Sequence, residues 1–164
     1  MSIKESYLFE LERETNNTRL LLSRVNDEHL SFKPHEKSMS LGDLLAHVVE
    51  LHNWVHRALS KDVFDFHKDY IPFKVTSVQE LKDALEEGLE KNKTFLAQFE
   101  ENNWFSNWSM QAGDHVIAQM PKVGTIRYVI NNHLIHHRGQ ATVYMRMLNI
   151  PLPGLYGPSA DEQQ

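Results

Sequence analysis

The chain contains no cysteine among its 164 residues. Disulfide bonds, thiolate metal sites and a cysteine nucleophile are therefore all excluded. Histidine is abundant instead, with ten copies, and three of these fall within five residues in the segment NNHLIHHRGQATVY at positions 131–144. Histidine chemistry is the strongest functional signal in the sequence.

Long apolar runs are also missing. No stretch approaches the roughly 18 apolar residues that a membrane helix requires, and the opening MSIKESYLFELERE is too charged to resemble a signal peptide. The net charge of −5, without a basic stripe, argues against a nucleic-acid-binding surface. These absences predict a soluble, cytoplasmic protein with neither a membrane nor a nucleic acid as partner.

The hydrophobic pattern predicts four helices. Ser40 is a good N-cap for the second helix, and Ser77 with Glu80 reads as a capping box for the third. Pro151 and Pro153 prevent the fourth helix from continuing. The predicted helices cover, in order, about residues 2–25, 40–60, 76–100, and 124 to the prolines.

The fold predicted from this pattern is an all-α four-helix bundle. Its length and composition suit one domain, residues 1–164. The connections at 26–39 and 61–75 are of medium length, whereas the connection at 101–123 is longer. We expect a short strand or hairpin in that long connection, around HVIAQM.

One face of the predicted fourth helix is apolar at both ends and polar in its middle. At about 100° per residue, His133 and His137 lie within about 40° of each other near the centre of this face. His136 points about 60° away from His133, towards the flank. The residues of the face, called here the seam, are Ile126, Ile130, His133, His137, Gln140, Tyr144 and Met147.

Two interpretations of the seam histidines are open. They are either core histidines bonded to neighbouring polar groups, or ligands of one metal ion, because two imidazoles one helical turn apart can direct a ring nitrogen at the same ion. The spacing alone is weak evidence, since His52 and His56 show it too. A catalytic site needs a third ligand, and helix geometry does not choose between His47 and His52.

Two segments carry a resemblance to a known family. NHLIHHRGQATVYMRMLNIPLPGLYGPSADE is similar to the C-terminal signature of the DinB/YfiT-like superfamily of metalloenzymes, and SLGDLLAHVVELHNW resembles its second helix. The resemblance implies a four-helix bundle with up-down-down-up connectivity, frequent homodimers, and a metal triad from the second and fourth helices. The matching residues here are His47, His133 and His137.

Such a triad predicts a metal-dependent enzyme. Three neutral imidazoles leave a divalent ion its full charge, so a water in an open position acidifies to a pKa of about 7 in the best-known zinc case. Zinc or nickel is the expected ion, with iron as a further choice. The resemblance implies either a hydrolase-like reaction or transfer of a low-molecular-weight thiol, with a small-molecule substrate in both cases.

Two functions of other classes compete with this prediction. In one, the ion is structural and the protein is a non-catalytic metal-binding or stress-response bundle. In the other, the chain is a metal-free bundle that acts as a homodimer.

Several neighbours of the triad carry expectations of their own. We expect Gln140 to orient a ligand or substrate, and Arg138 to form an ion pair between helices or at an interface. Glu50 is a candidate general base, but a solvated helix carboxylate is the favoured interpretation. Tyr144 is expected to line the pocket and Tyr156 to fold back over the site. The tryptophans, without a basic groove beside them, are expected in the core or a pocket wall.

Overall fold

The structure is a computed structural model and describes residues 2–162. Its four long helices, named here the first to the fourth, span Ile3–Leu22, Leu41–Leu59, Val78–Gln98 and Asn132–Met147. The predicted domain of residues 1–164 includes Met1, Gln163 and Gln164, which lie outside the described residues. The extent of that domain stays a prediction.

Serine residues cap the N-termini of the first three long helices, and the Ser2 hydroxyl accepts the Glu5 amide at 3.1 Å. The Ser40 hydroxyl accepts the Asp43 amide at 3.0 Å, as the sequence predicts. The Ser77 hydroxyl accepts the Glu80 amide at 3.3 Å. The Glu80 carboxylate does not close the predicted capping box, however, because it accepts both the backbone amide and the hydroxyl of Thr76.

The fourth helix is entered through a π-helical segment. A short turn, Lys122–Gly124, leads into the π-helix Thr125–Asn131, which continues directly into the α-helix. The helical path therefore begins near Gly124, as predicted. A π-helix has more residues per turn than an α-helix, so the assumed rotation of 100° per residue does not hold in this segment. The helix ends before Pro151, where Asn149 takes a left-handed φ of 58°.

A small three-stranded sheet packs beside the helices. Its strands are β1 (Val63–Asp65), β2 (Asn107–Ala112) and β3 (His115–Pro121); β1 pairs with β2 in parallel, and β2 with β3 antiparallel. The hairpin expected in the long connection is confirmed. The all-α class is wrong in this respect. The sequence does not predict the parallel strand β1, because three residues are too few to show an alternating pattern.

The core consists of two apolar clusters that follow one another along the bundle. The first surrounds the buried tryptophans Trp54, Trp104 and Trp108 and includes Phe64 of β1. The second contains Leu45, Leu85 and Met145, among others. On the fourth helix the first cluster reaches Leu134 and the second begins at Ala141, so His137 lies between the clusters and His133 lies beside the last residues of the first. No helix within residues 2–162 has the length and apolarity needed to cross a bilayer.

A buried hydrogen-bond chain crosses the bundle at this level. His52 is 1% exposed, its Nε2 lies 2.9 Å from the Thr15 hydroxyl, and its Nδ1 lies 2.9 Å from Asn53 Oδ1. Burial lowers the pKa of His52 to about 4. The neutral ring therefore donates from Nδ1 to the Asn53 amide oxygen, which leaves Nε2 as an acceptor. The Thr15 hydroxyl shares its one proton between this Nε2 and the Leu11 carbonyl, which lies at 2.7 Å.

An ion pair joins the fourth helix to the first. Arg138 is 1% exposed and forms an ion pair with the carboxylate of Glu14. It also donates to the Glu14 carbonyl at 2.9 Å and to the Thr18 hydroxyl at 3.1 Å. The Tyr156 hydroxyl, from the tail, bonds to both members of the pair. The expected interhelical ion pair of Arg138 is thus confirmed.

Loss of this guanidinium is expected to destabilise the fold. Arg138→Met should lower the free energy of unfolding by about 3 kcal/mol, because it leaves a mostly buried carboxylate without its cation. Glu14→Gln combined with Arg138→Met removes both charges and should lose less than Arg138→Met alone. Urea denaturation measures both, and a loss below about 0.5 kcal/mol for the single variant would contradict the assignment.

The buried His52 makes stability depend on pH. Its folded pKa of about 4 lies below the unfolded value of about 6.5, so only the unfolded chain binds the proton between them. The free energy of unfolding therefore falls as pH drops from about 6.5 to about 4. We expect His52→Gln to reduce the loss between pH 7 and pH 4.5 by about 2 kcal/mol.

The matched control for this effect is His136→Gln, which changes an exposed histidine in the same way. Denaturation curves at both pH values give the comparison. An equal pH dependence in wild type and His52→Gln would show that His52 does not titrate as proposed.

Candidate metal centre

The structure brings His47, His133 and His137 together. Each offers one ring nitrogen, and the three nitrogens lie within 4.8 Å of one another. The ring centroids are separated by 5.0 Å for His47 and His133, 4.8 Å for His47 and His137, and 4.6 Å for the pair on the fourth helix. This is a group that can hold a metal ion.

Two packed helices position the three rings. His133 and His137 lie one turn apart in the regular α-helical part of the fourth helix, so both project from the same face. The second helix packs against that helix and supplies His47 from the opposite side. The triad therefore depends on the rotation of both helices about their axes.

Hydrogen bonds fix the orientation of two of the rings. His47 Nδ1 lies 3.0 Å from Glu50 Oε2, and His137 Nδ1 lies 2.7 Å from Gln140 Oε1. Carboxylate and amide oxygens only accept, so both Nδ1 atoms carry a proton, and in the neutral form of each ring the Nε2 atom keeps a free lone pair. Metal-ligating histidines in proteins are held in this way.

Burial favours the neutral form of the two rings on the fourth helix. Desolvation, followed by the neighbouring His137 and His47, lowers the pKa of His133 to about 4. Desolvation likewise lowers the pKa of His137, although its bond to Gln140 acts in the opposite direction. Metal ions bind the neutral imidazole. The donor set thus fits a divalent ion that accepts nitrogen ligands.

Glu50 is part of this centre and is not the solvated carboxylate expected from the sequence. It is 3% exposed, and its Oε2 accepts the Tyr70 hydroxyl at 3.3 Å in addition to the bond from His47. Its Oε1 is buried without a hydrogen-bond partner among the described residues. In the sequence, the position of Glu50 three residues after His47 indicates that the two side chains can meet. Nothing in the sequence indicates the contact with Tyr70.

His52, the alternative third ligand, is excluded by its contacts. Both of its ring nitrogens are used in the buried chain with Thr15 and Asn53. His56 is held by Asn92 at 2.6 Å through Nδ1. His136 is exposed on the flank, as predicted. The described part of the chain therefore brings only His47 to the pair on the fourth helix.

The remaining expectations have mixed outcomes. Gln140 orients His137, as predicted. Tyr144 is partly buried and packs edge-on against Phe32, with ring centroids 6.1 Å apart, and its expected place in the pocket wall stays a prediction. The expectation that Tyr156 folds over the histidines is wrong, because its hydroxyl bonds to the Arg138–Glu14 pair.

The triad is accessible and has three members. The His47 side chain is 21% exposed, and His133 and His137 are partly buried. Within residues 2–162, no fourth histidine or carboxylate joins the group. A structural zinc ion is usually closed by four protein ligands, whereas a catalytic ion keeps a position for water or substrate. The triad, with three protein ligands, has the form of a site that keeps a position for water or substrate.

Comparison with known proteins gives one sequence relative of note and several structural ones. The uncharacterized protein YrdA of Bacillus subtilis (strain 168) is 26% identical over 159 residues, which are 96% of this chain and 90% of YrdA. A DinB-like protein from Bacillus cereus ATCC 10987 superposes with a TM-score of 0.72 at 25% identity, covering 93% of this chain and 97% of that one.

The DinB-like protein YjoA of Bacillus subtilis has the same fold, with a TM-score of 0.70 at 20% identity over 93% of this chain and 98% of YjoA. The sequence profile of the DinB family matches residues 1–164, the full length of the chain. The mostly helical fold with its small sheet agrees with that match. The chain belongs to the DinB family.

Proposed function

We propose that this protein is a metal-dependent enzyme whose divalent ion is bound by His47, His133 and His137. The observation that carries the proposal is the convergence of three ring nitrogens within 4.8 Å, with two of the rings, His47 and His137, held by hydrogen bonds at Nδ1. Zinc or nickel is the proposed ion, and iron is the further choice, because all three accept imidazole.

The residues of the centre have separate tasks. His47, His133 and His137 would hold the ion, while Glu50 and Gln140 keep two of the rings in the ligating orientation. The bound ion would supply a Lewis acid that acidifies a water or a thiol. The partial exposure of His47 leaves room for a small molecule to approach from solvent.

The substrate is proposed to be a small molecule, and the reaction either hydrolysis or transfer of a low-molecular-weight thiol. A chain without cysteine must take its thiol from solution, so thiol transfer requires a thiol co-substrate at the open side of the triad. Three protein ligands on an accessible site favour catalysis over a purely structural ion. We further propose a single-domain, cytoplasmic homodimer as the working form.

The metal content of purified protein tests the triad. We expect protein purified without added metal to contain about one ion per chain, and His137→Ala to retain about a tenth of that or less, because loss of one of three ligands removes the site. His136→Ala changes the exposed neighbouring histidine and should keep the wild-type content. Equal metal in wild type and His137→Ala would overturn the proposal.

Consumption of a free thiol tests the reaction. Metal-loaded protein is mixed with a panel of low-molecular-weight thiols and a test electrophile, and the remaining thiol is measured with time. If the protein transfers thiols, the free thiol should disappear faster than in buffer. With His137→Ala the reaction should be at least tenfold slower than with the wild type, which corresponds to about 1.4 kcal/mol of lost transition-state stabilisation. No acceleration with any thiol, but His137-dependent ester hydrolysis, would assign the centre to hydrolysis.

A further inference from the structure

The hydroxyl of Tyr70 extends the candidate metal centre by one further contact. Glu50 Oε2 accepts the Tyr70 hydroxyl at 3.3 Å and the His47 ring at 3.0 Å. A carboxylate oxygen has two lone pairs, so it can accept both donors at once. Burial, followed by the charge of Glu50, raises the pKa of Tyr70, so the hydroxyl keeps its proton and is the donor. The three groups form a chain from the connection at 61–75 to one of the proposed metal ligands.

The small sheet places Tyr70 beside the second helix. Strand β1 leads directly into a short helix, Phe66–Asp69, and Tyr70 follows that helix. The Tyr70 ring packs on the Phe66 ring, with centroids 5.3 Å apart, and the Phe66 ring packs on Trp54 at 5.9 Å. The ring of Tyr70 is thus held against the first apolar cluster, while its hydroxyl is bonded to Glu50.

Burial makes the Glu50 carboxylate dependent on its donors. The residue is 3% exposed, and its Oε1 has no hydrogen-bond partner within residues 2–162. The two donors, Tyr70 and His47, therefore both reach Oε2. A buried charge is costly unless it is hydrogen-bonded. Without the Tyr70 hydroxyl, the carboxylate would gain by turning towards water, and this movement would break its bond to His47.

We propose that Tyr70 is a positioning residue of the metal centre, which acts through Glu50 on the orientation of His47. This inference rests on the metal centre proposed above and assigns to the connection at 61–75 a share in metal binding. Linkage makes the effect mutual, because a contact that strengthens metal binding is strengthened by the metal by the same factor. A metal ion in the triad should therefore hold Tyr70 more firmly in place.

Metal affinity tests this role, measured by competition with a chromogenic chelator for zinc(II), with nickel(II) and iron(II) as further probes. Loss of a direct partner of a ligating histidine costs roughly 10- to 100-fold in affinity. Because Tyr70 acts one bond further out, we expect Tyr70→Phe to bind zinc about fivefold more weakly than the wild type. Tyr128→Phe makes the same change at a tyrosine that is 71% exposed and should bind as the wild type does.

Failure of the metal centre and failure of the Tyr70 contact give different results. A wild type that binds none of the three ions would overturn the metal centre, and this inference with it. A wild type that binds its ion no more tightly than Tyr70→Phe does would leave the centre in place and overturn only the role of Tyr70.

Glu50→Ala shows whether Tyr70 acts through Glu50. This variant should itself weaken zinc binding roughly 10- to 100-fold. In the Glu50→Ala background, Tyr70→Phe should add less than about twofold, because the group through which it acts is gone. A further loss of about fivefold would overturn the proposed chain. Thermal melting shows whether the variants are folded, and the comparison of Tyr70→Phe with Tyr128→Phe decides alone if Glu50→Ala is not.

Trypsin cleavage after Lys74 gives a second readout that is independent of activity. Lys74 is exposed in the same connection as Tyr70, and cleavage requires this segment to leave the protein surface. By the reciprocity of linkage, saturating zinc should slow this cut about fivefold in the wild type and leave it unchanged in Tyr70→Phe. Rates are taken relative to the cut after Lys37, an exposed lysine between the first and second helices. Equal protection of Lys74 in both proteins would overturn the proposal.

Discussion

The buried ion pair between Arg138 and Glu14 sets the rotation of the fourth helix, and the histidine centre depends on that rotation. Arg138 is 1% exposed and is bonded to the first helix through Glu14 and Thr18. On an α-helix, Arg138 points about 100° from His137 and about 140° from His133. Anchoring the guanidinium on the first helix therefore turns both imidazoles away from it and towards the second helix. A slip of one residue in this contact would move the rings by about 100°.

The interruption of the apolar core explains why polar chemistry is concentrated at one level of the bundle. Between the two apolar clusters, the helices contribute hydroxyl, amide, imidazole and guanidinium groups instead of aliphatic side chains. Each buried polar group needs a partner there, since leaving it unpaired costs about 1–3 kcal/mol. His52 has both of its ring nitrogens hydrogen-bonded, whereas His47 and His137 are each bonded through Nδ1 alone. A core histidine thus differs from a candidate ligand in the number of its ring nitrogens that are already hydrogen-bonded.

The sequence predicts those parts of the centre that follow from a single regular helix. His133 and His137 share a face because they lie in a regular α-helix, and the helix-wheel argument needs nothing more. The choice of His47 over His52 depends on Thr15 of the first helix, whose hydroxyl is hydrogen-bonded to the His52 ring. The burial of Glu50 depends on contacts made across the bundle, so helix periodicity places it wrongly. The three-residue strand β1 exists only through its pairing with β2, and no pattern within three residues can reveal such a partner.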